Sequence, residues 1–163
     1  MKKRWHMALG LLLLLVIQTK AQTVKSTKMA LPAQTLSITV LRPADDVYAF
    51  LSAPANFAIW AEGFGSQLEL TDTPGTWRFK MANGKNATAT FSSPNPFRIV
   101  DHYVYPGNGQ EVFVPMRVVA NGEASEVLFT LFRQPEMTDE MLATDKAAVL
   151  KDLANLKKVL EQR

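Results

Sequence analysis

The chain has 163 residues, 47% of them apolar and 20% charged, with no cysteine; that suffices for one domain around one sizeable core and is short for two. The formal charge of +3 belongs to the first 21 positions, where Lys2, Lys3, Arg4 and Lys20 meet no acid; without those four of the 18 bases, 14 remain against 15 acids. The remainder carries no basic nucleic-acid footprint, so no nucleic-acid partner is expected, and the missing cysteines exclude disulfides, thiolate zinc sites, a cysteine nucleophile and a lipidated-cysteine anchor.

Residues 1–21 read as a secretory signal peptide. A basic start precedes an apolar run from Met7 to Ile17, and a cut before Gln22 puts Thr19 and Ala21 at the −3 and −1 positions. The run of 11 residues is short of the ~20 that a membrane-spanning helix needs. No stable membrane anchor is then expected after cleavage, and the protein is expected to be exported, to a bacterial periplasm or the secreted fraction, where the lack of cysteine is at home. Asn86-Ala87-Thr88 matches a glycosylation sequon, accidental in that setting. Residues 22–33 read as a flexible polar tether, and 34–163 as the folded domain.

Within that domain, Leu36, Ile38 and Val40 alternate along a strand from Gln34 to Leu41. Arg42-Pro43-Ala44-Asp45-Asp46 opens a helix, with proline and two carboxylates suited to its first turn. Val47, Phe50 and Leu51 form its apolar stripe. Ser52-Ala53-Pro54 ends it and starts a second short helix with Phe57 and Trp60. Six further strands follow: Gln67–Thr71, Thr76–Met81, Asn86–Phe91, Phe97–Tyr105, Glu111–Ala120 and Glu123–Phe132. Turn residues separate them, among them two Asn-Gly pairs, Asn83-Gly84 and Asn121-Gly122. Thr138 to Gln162 is one long helix: Leu142, Val149, Leu153, Leu156 and Leu160 keep a 3.6-residue period, Thr138 can cap, and acids begin it while bases end it. Apolar on one face only, it must lie on something broad, and the strands are the available partner. The expected fold class is α+β: an antiparallel sheet curved around the C-terminal helix, two short helices between strands one and two, and a ligand cavity between sheet and helix.

Two-residue Asn-Gly turns fix registers. Around Asn121-Gly122, Ala120 pairs with Glu123, Met116 with Val127, Val114 with Phe129 and Val112 with Leu131, a wholly apolar inner face. Arg117 then opposes Glu126 outside, as a buried ion pair or an exposed cross-strand salt bridge. Pro115 has no amide to donate, and a bulge there shifts this assignment. Around Asn83-Gly84, Trp77, Phe79 and Met81 share a face with Thr90, Thr88 and Asn86. The two threonines suit either a wet cavity or a plain edge strand. If Tyr105 pairs with Gln110, then Phe97, Ile99, Asp101 and Tyr103 face in and His102 faces out; a one-residue slip puts Asp101 in solvent instead. An inward Asp101 or Tyr103 is a candidate acid–base group.

His102 is the one histidine after the leader, so multi-histidine metal sites are excluded and neither metal nor cofactor is expected. A serine triad lacks both a G-x-S-x-G context and an acid to orient His102, since Asp101, its strand neighbour, points the other way. Gly63-Phe64-Gly65 lacks the third glycine of a dinucleotide loop.

The stretches from Ile38 to Leu51, from Pro54 to Trp60, from Met116 to Val119 and from Ser125 to Phe132 resemble the START-like, Bet v 1-like helix-grip superfamily, and most of all its bacterial SRPBCC branch of polyketide cyclase/dehydrase-like proteins. The resemblance runs from about Gln34 to Arg163. It implies a seven-stranded sheet around a long C-terminal helix, with a hydrophobic cavity for lipids, polyketides or other apolar molecules. Thr73-Pro74-Gly75 is a short turn where the plant allergens of that superfamily carry a glycine-rich loop. An export signal departs from the cytosolic cyclases. The function expected first is therefore an exported protein binding a small apolar or amphipathic ligand, with Trp60, Trp77, Phe79, Thr88, Thr90, Asp101, Tyr103, Val114, Met116, Phe129 and Val149 as its lining. The alternative is a cyclase/dehydratase-like or hydrolase-like enzyme using Asp101 or Tyr103. Phe113, Leu128 and Phe132 share the outer face, a candidate homodimer contact.

Overall fold

The computed structural model describes residues 30–64, 68–81 and 83–163. The expected signal peptide and most of the expected tether lie outside the described residues. Eight strands and three α-helices follow in the order β1 (Ala33–Val40), α1 (Ala44–Leu51), α2 (Phe57–Trp60), β2 (Glu69–Leu70), β3 (Thr76–Lys80), β4 (Asn86–Phe91), β5 (His102–Tyr105), β6 (Val112–Val114), β7 (Met116–Asn121), β8 (Ala124–Phe132) and α3 (Asp139–Glu161). Short 3₁₀ turns flank α2 at Pro54–Asn56 and Glu62–Phe64.

All strand pairs are antiparallel, but the expected seven-stranded sheet is eight strands in two sheets, ordered β1-β8-β7 and β2-β3-β4-β5-β6. The division falls at Pro115. It cannot donate to a ladder, so the strand expected over Glu111–Ala120 becomes β6 and β7, one in each sheet. The Pro115 carbonyl still accepts from the Thr130 amide (2.9 Å). The next amide, Met116 N, donates to Asp101 Oδ1 at 2.9 Å. The segment before β5 rejoins the two sheets, with Val100 N on Met116 O and Val118 N on Arg98 O, both 3.0 Å.

That segment is shorter as a strand than the residue pattern suggests. Arg98 takes φ 53°, outside the extended region, and Asn95 organises the chain before it. Asn95 Oδ1 accepts from Phe97 N and Ile99 N, both 3.1 Å, and its own amide donates to Tyr48 Oη at 2.7 Å. Phe97 is therefore on the surface, 72% exposed, not on the inner face.

Three registers differ from expectation, and all three trace to turns. At β7–β8 the turn is Gly122-Glu123: Asn121 pairs with Ala124, Met116 with Phe129 and Val118 with Val127. Positive φ falls on Gly122 (60°) and not on Asn121, as in a type II′ turn. The shift preserves the faces, but Arg117 now opposes Leu128. Glu126 instead accepts from Thr39 Oγ1 (2.7 Å) and Asn121 Nδ2 (3.0 Å). At β3–β4, Met81 N bonds Lys85 O (2.9 Å), so three residues rather than two separate them, with Gly84 at φ 78°. Trp77 then pairs with Ala89 and Phe79 with Ala87. Thr88 and Thr90 fall on the other face, opposite Arg78 and Thr76. At β5–β6, His102 pairs with Val114, Tyr103 with Phe113 and Val104 with Val112. This slip by one residue turns His102 inward and Tyr103 outward.

α3 crosses the inner faces and, with 23 residues, runs about 34 Å. Thr138 Oγ1 accepts from Met141 N at 3.2 Å as its N-cap. Val149, Leu153, Leu156 and Leu160 are buried beneath it, against Leu36 and Val40 of β1, Val47, Phe50 and Leu51 of α1, Phe57 and Trp60 of α2, and Val118 and Val127. Glu161 and Lys157 tie its far end to β1, through the Leu41 amide and the Thr39 carbonyl, both at 2.7 Å. A smaller cluster forms around Phe79, Ala87 and Ala89. Outside, the rings of Tyr103, Phe113 and Phe132 stack in a row, with centroids 4.7 and 6.4 Å apart.

Leu156 is fully buried and Leu150 on the opposite side of α3 is exposed. Leu156→Ala is expected to cost about 3 kcal/mol through lost burial and a residual cavity, and Leu150→Ala less than about 0.5 kcal/mol. Urea titration of the two variants checks the pair; equal losses contradict the packing of α3 described here.

Candidate functional site

Between α3 and the five-stranded sheet lies a partly enclosed apolar cavity of about 110 Å³. Phe57, Trp60, Ala61 and Gly63 close one side, from α2 and the turn after it. His102 and Val104 of β5 and Val114 of β6 form the floor, with Phe129 of β8 beside them. Val149, Asp152 and Leu153 of α3 form the roof. Each wall follows from a local pattern. Val149, Asp152 and Leu153 stand at i, i+3 and i+4, one face of a helix. His102 and Val104 are alternate residues of one strand. Three larger and more open clefts lie beside α2, at Pro115 and at the start of α3.

The cavity joins an aromatic cluster. The Phe57 ring meets Trp60 at 5.0 Å, Phe91 at 4.8 Å and the edge of His102 at 5.2 Å, and His102 stacks on Phe91 at 5.4 Å. His102 is 2% exposed. Burial pushes its pKa down to about 4, a fall that the Val100 carbonyl only partly opposes. The ring is therefore neutral at neutral pH. Its Nδ1 lies 3.4 Å from the Val100 carbonyl oxygen, which favours the tautomer protonated there.

Two further polar groups border the cavity. Trp60 is 3% exposed, and its Nε1 has no hydrogen-bond partner among the described residues. Asp152 Oδ1 accepts from the Glu62 amide at 3.0 Å, and Lys151 Nζ pairs with the Glu62 carboxylate at 2.9 Å, so α3 is tied to the turn after α2. Burial raises the Asp152 pKa above the ordinary aspartate value, an effect the Glu62 amide opposes. Among the described residues no three His, Cys, Asp or Glu side chains gather to hold a metal ion. Among them, too, no helix is long and apolar enough to cross a membrane.

Of the lining residues expected from sequence, Trp60, Val114, Phe129 and Val149 come together around this cavity. Met116 is buried in the main core. Phe79 belongs to the second cluster, and Trp77 is half-buried opposite Ala89. Thr88 and Thr90 lie on the outer face for the reason of register given above. The two candidate acid–base groups are also elsewhere. Asp101 is engaged by the Met116 amide and borders the outer groove at Pro115, and Tyr103 is 37% exposed, stacked on Phe113.

The residues missed were His102, Val104, Phe57, Asp152 and Leu153. Val100, His102 and Val104 alternate, and that period marks the inward face; pairing Tyr105 with Gln110 gave the opposite parity. Asp152 was marked by its place three residues after Val149 on the sheet-facing stripe.

No family model matches the chain, and no curated protein matches it in sequence. Solved structures do match in fold. An uncharacterised protein of Bacillus thuringiensis superposes with TM-score 0.66 at 12% identity, over 79% of this chain and 98% of its own. The Zhui aromatase/cyclase of a Streptomyces species gives 0.65 at 17%, over 82% and 96%. Ara h 8.0201 gives 0.64 at 10%, over 82% and 100%. The architecture is the helix-grip fold of Bet v 1-like and SRPBCC polyketide cyclase-like proteins.

His102 binds a proton more weakly in the folded chain (pKa about 4) than its ordinary 6.5. As pH falls, the unfolded chain is protonated first. The stability this group confers is full above pH 6.5 and lost between 6.5 and 4, by about 3 kcal/mol over the whole span. Asp145 and Asp152, both raised by burial, act in the opposite direction and are common to wild type and variant. Urea unfolding at pH 7 and pH 4 is expected to show a steeper acid loss for the wild type than for His102→Gln. Equal slopes contradict a buried, neutral His102.

Proposed function

We propose that this protein is an exported binder of a small apolar or amphipathic molecule, held in the cavity beneath α3. The observation that carries the reading is the partly enclosed hollow of about 110 Å³ with an almost wholly apolar wall. Ordinary ligand pockets are larger, about 300–1,000 Å³. An apolar cavity of about 150 Å³ takes up benzene, so the space suits a guest of about one ring. Solved structures of the same fold include an aromatase/cyclase and Ara h 8.0201, which supports a ligand-bearing scaffold and leaves the ligand to the side chains.

A second reading, an acid–base enzyme of cyclase/dehydratase or hydrolase type, is favoured by one observation: a half-buried carboxyl, Asp152, borders the cavity with its pKa raised by burial. Asp152 takes the place that sequence reasoning gave to Asp101 or Tyr103. Mass spectrometry of the guest recovered after incubation separates the two. An unchanged mass supports the binder, and conversion lost in Asp152→Asn supports the enzyme.

Toluene is a fair probe of the hollow. At ten times its Kd it is expected to stabilise the protein by about 1.4 kcal/mol, a Tm rise of roughly 4 °C. Val149→Phe fills the space and is expected to abolish the rise. No shift in the wild type, or the same shift in the variant, overturns the reading.

Export makes its own prediction. The mature protein recovered from the native bacterium is expected to begin at Gln22 by intact mass. A full-length product retained in the cell contradicts it.

A further inference from the structure

We infer, resting on the binding role proposed above, that the guest is an arylalkylamine: an aromatic ring under Val149, joined by a short alkyl chain to an ammonium group held by Asp145 in the cleft at the start of α3.

The hollow opens along walls that it shares with that cleft, a space of about 450 Å³. Val104 lines both. Below, Val114 lines the hollow, and Val112, two residues earlier on β6 and paired with Val104, lines the cleft. Above, Val149 lines the hollow, and Asp145, one turn earlier on α3, lines the cleft. No residue of α3 before Val149 is buried, so its first turns leave room over the sheet. The cleft beside α2 also shares residues with the hollow, Trp60 and Ala61. These are 3% and 4% exposed and close that side, whereas Val104 is only half-buried. The hollow alone falls short of an ordinary ligand pocket of about 300–1,000 Å³; with the cleft it reaches that range.

Charge then selects the guest. Among the described residues Asp145 has no hydrogen-bond or ion-pair partner, and burial raises its pKa, as for a carboxylate whose charge nothing offsets. The cleft is lined by a second acid, Glu136, and by no base. Lys146 follows Asp145 on α3 but is not part of the lining, and Arg133 is engaged by the Met137 carbonyl at 2.8 Å and by Asp139 at 2.7 Å. An ammonium group offsets Asp145, where a carboxylate or phosphate guest would meet like charge. The hollow offers no base either. Its His102 ring is neutral, and its Asp152 already accepts from the Glu62 amide at 3.0 Å. An aromatic ring fits among Phe57, His102 and Phe129 and can turn its positive edge to Asp152. Val149 and Asp145 are about 6 Å apart along α3, a span for a short alkyl chain.

The probes 4-phenylbutylamine, 4-phenylbutanol and 4-phenylbutanoate share this shape and differ in charge at one end. Calorimetric titration of the wild type at pH 7 is expected to show the amine about tenfold tighter than the alcohol, with the acid weakest. Asp145→Asn is expected to remove the preference for the amine while leaving toluene within about threefold. Val149→Phe fills the hollow and is expected to weaken amine and alcohol together. The wild-type order decides the charge by itself, so the test survives a variant that does not fold. An amine no tighter than the alcohol, or an acid tighter than either, overturns the inference. So does an amine preference that survives Asp145→Asn, or amine binding unchanged in Val149→Phe. With toluene still bound by the wild type, each of these leaves the cavity reading standing; toluene that fails to bind overturns the cavity reading itself.

Discussion

The arrangement depends on one missing hydrogen-bond donor. Pro115 ends the ladder of β6 after Val114 and leaves the next amide, that of Met116, in need of an acceptor. Asp101 supplies it. A carboxylate bonded to an amide is a strong interaction, worth more than a neutral pair, and it fixes which way Asp101 points. Neighbouring residues of an extended chain point to opposite faces. With Asp101 directed to the break, His102 must turn into the core. The bond thus holds the β5 parity that the loop after Tyr105 sets, and with it the floor of the cavity.

What surrounds the hollow is then a matter of polarity. The buried histidine is neutral because the interior disfavours its charged form, so it adds no charge to the floor. The carboxylate of Asp152 stands on the side where the turn after α2 meets α3, and the Glu62 amide partly compensates it. Trp60 sits on that side as well, on α2. The cavity therefore has a polar side at the α2–α3 junction and a floor of Val104, Val114 and the neutral His102 ring, with Phe129 beside it. A symmetrical apolar guest would gain nothing from this asymmetry, whereas an amphipathic one would be oriented by it.

The residue pattern carried the architecture well and the site only in part. Periodicity placed α3 to within a residue at each end, because a one-sided apolar stripe of six turns has a single reading. The alternation of Leu36, Ile38 and Val40 placed β1 for a similar reason. The strand faces were harder, because each rests on a turn length. Asn-Gly suggested two-residue turns with positive φ at both central positions. Both glycines turn positive, Gly84 at 78° and Gly122 at 60°, and Gly122 does so without Asn121. At Asn83-Gly84 this added a residue to the loop, and the loop after Tyr105 is likewise one residue longer than assumed. Each odd shift exchanged the faces of a strand: Thr88 and Thr90 went out with one, and His102 came in with the other. At Asn121-Gly122 the shift was even, and the faces survived with Val114 and Phe129 still inward. Residues on the helices were immune to such errors. Trp60 and Val149 reached the cavity as expected for this reason, and Asp152, on the same helical face, was legible and overlooked.

The fold comparisons bear on this division between scaffold and site. At 10–17% identity the shared object is a sheet wrapped on a helix, which demands only apolar residues of suitable period and size. Such cores tolerate many substitutions if volume and pattern are kept, so the side chains that shape a cavity drift freely while the fold persists. The hollow here is small because Phe57, Trp60, Phe91 and His102 press together where the sheet and α2 converge. A relative with smaller residues at those positions would open a larger space under an unchanged backbone. Cavity size in this chain is thus set by a few aromatic contacts, while the shared backbone sets the cavity's place. In this chain Trp60 takes part in both, since its ring packs on Phe57 and stands in the cavity wall.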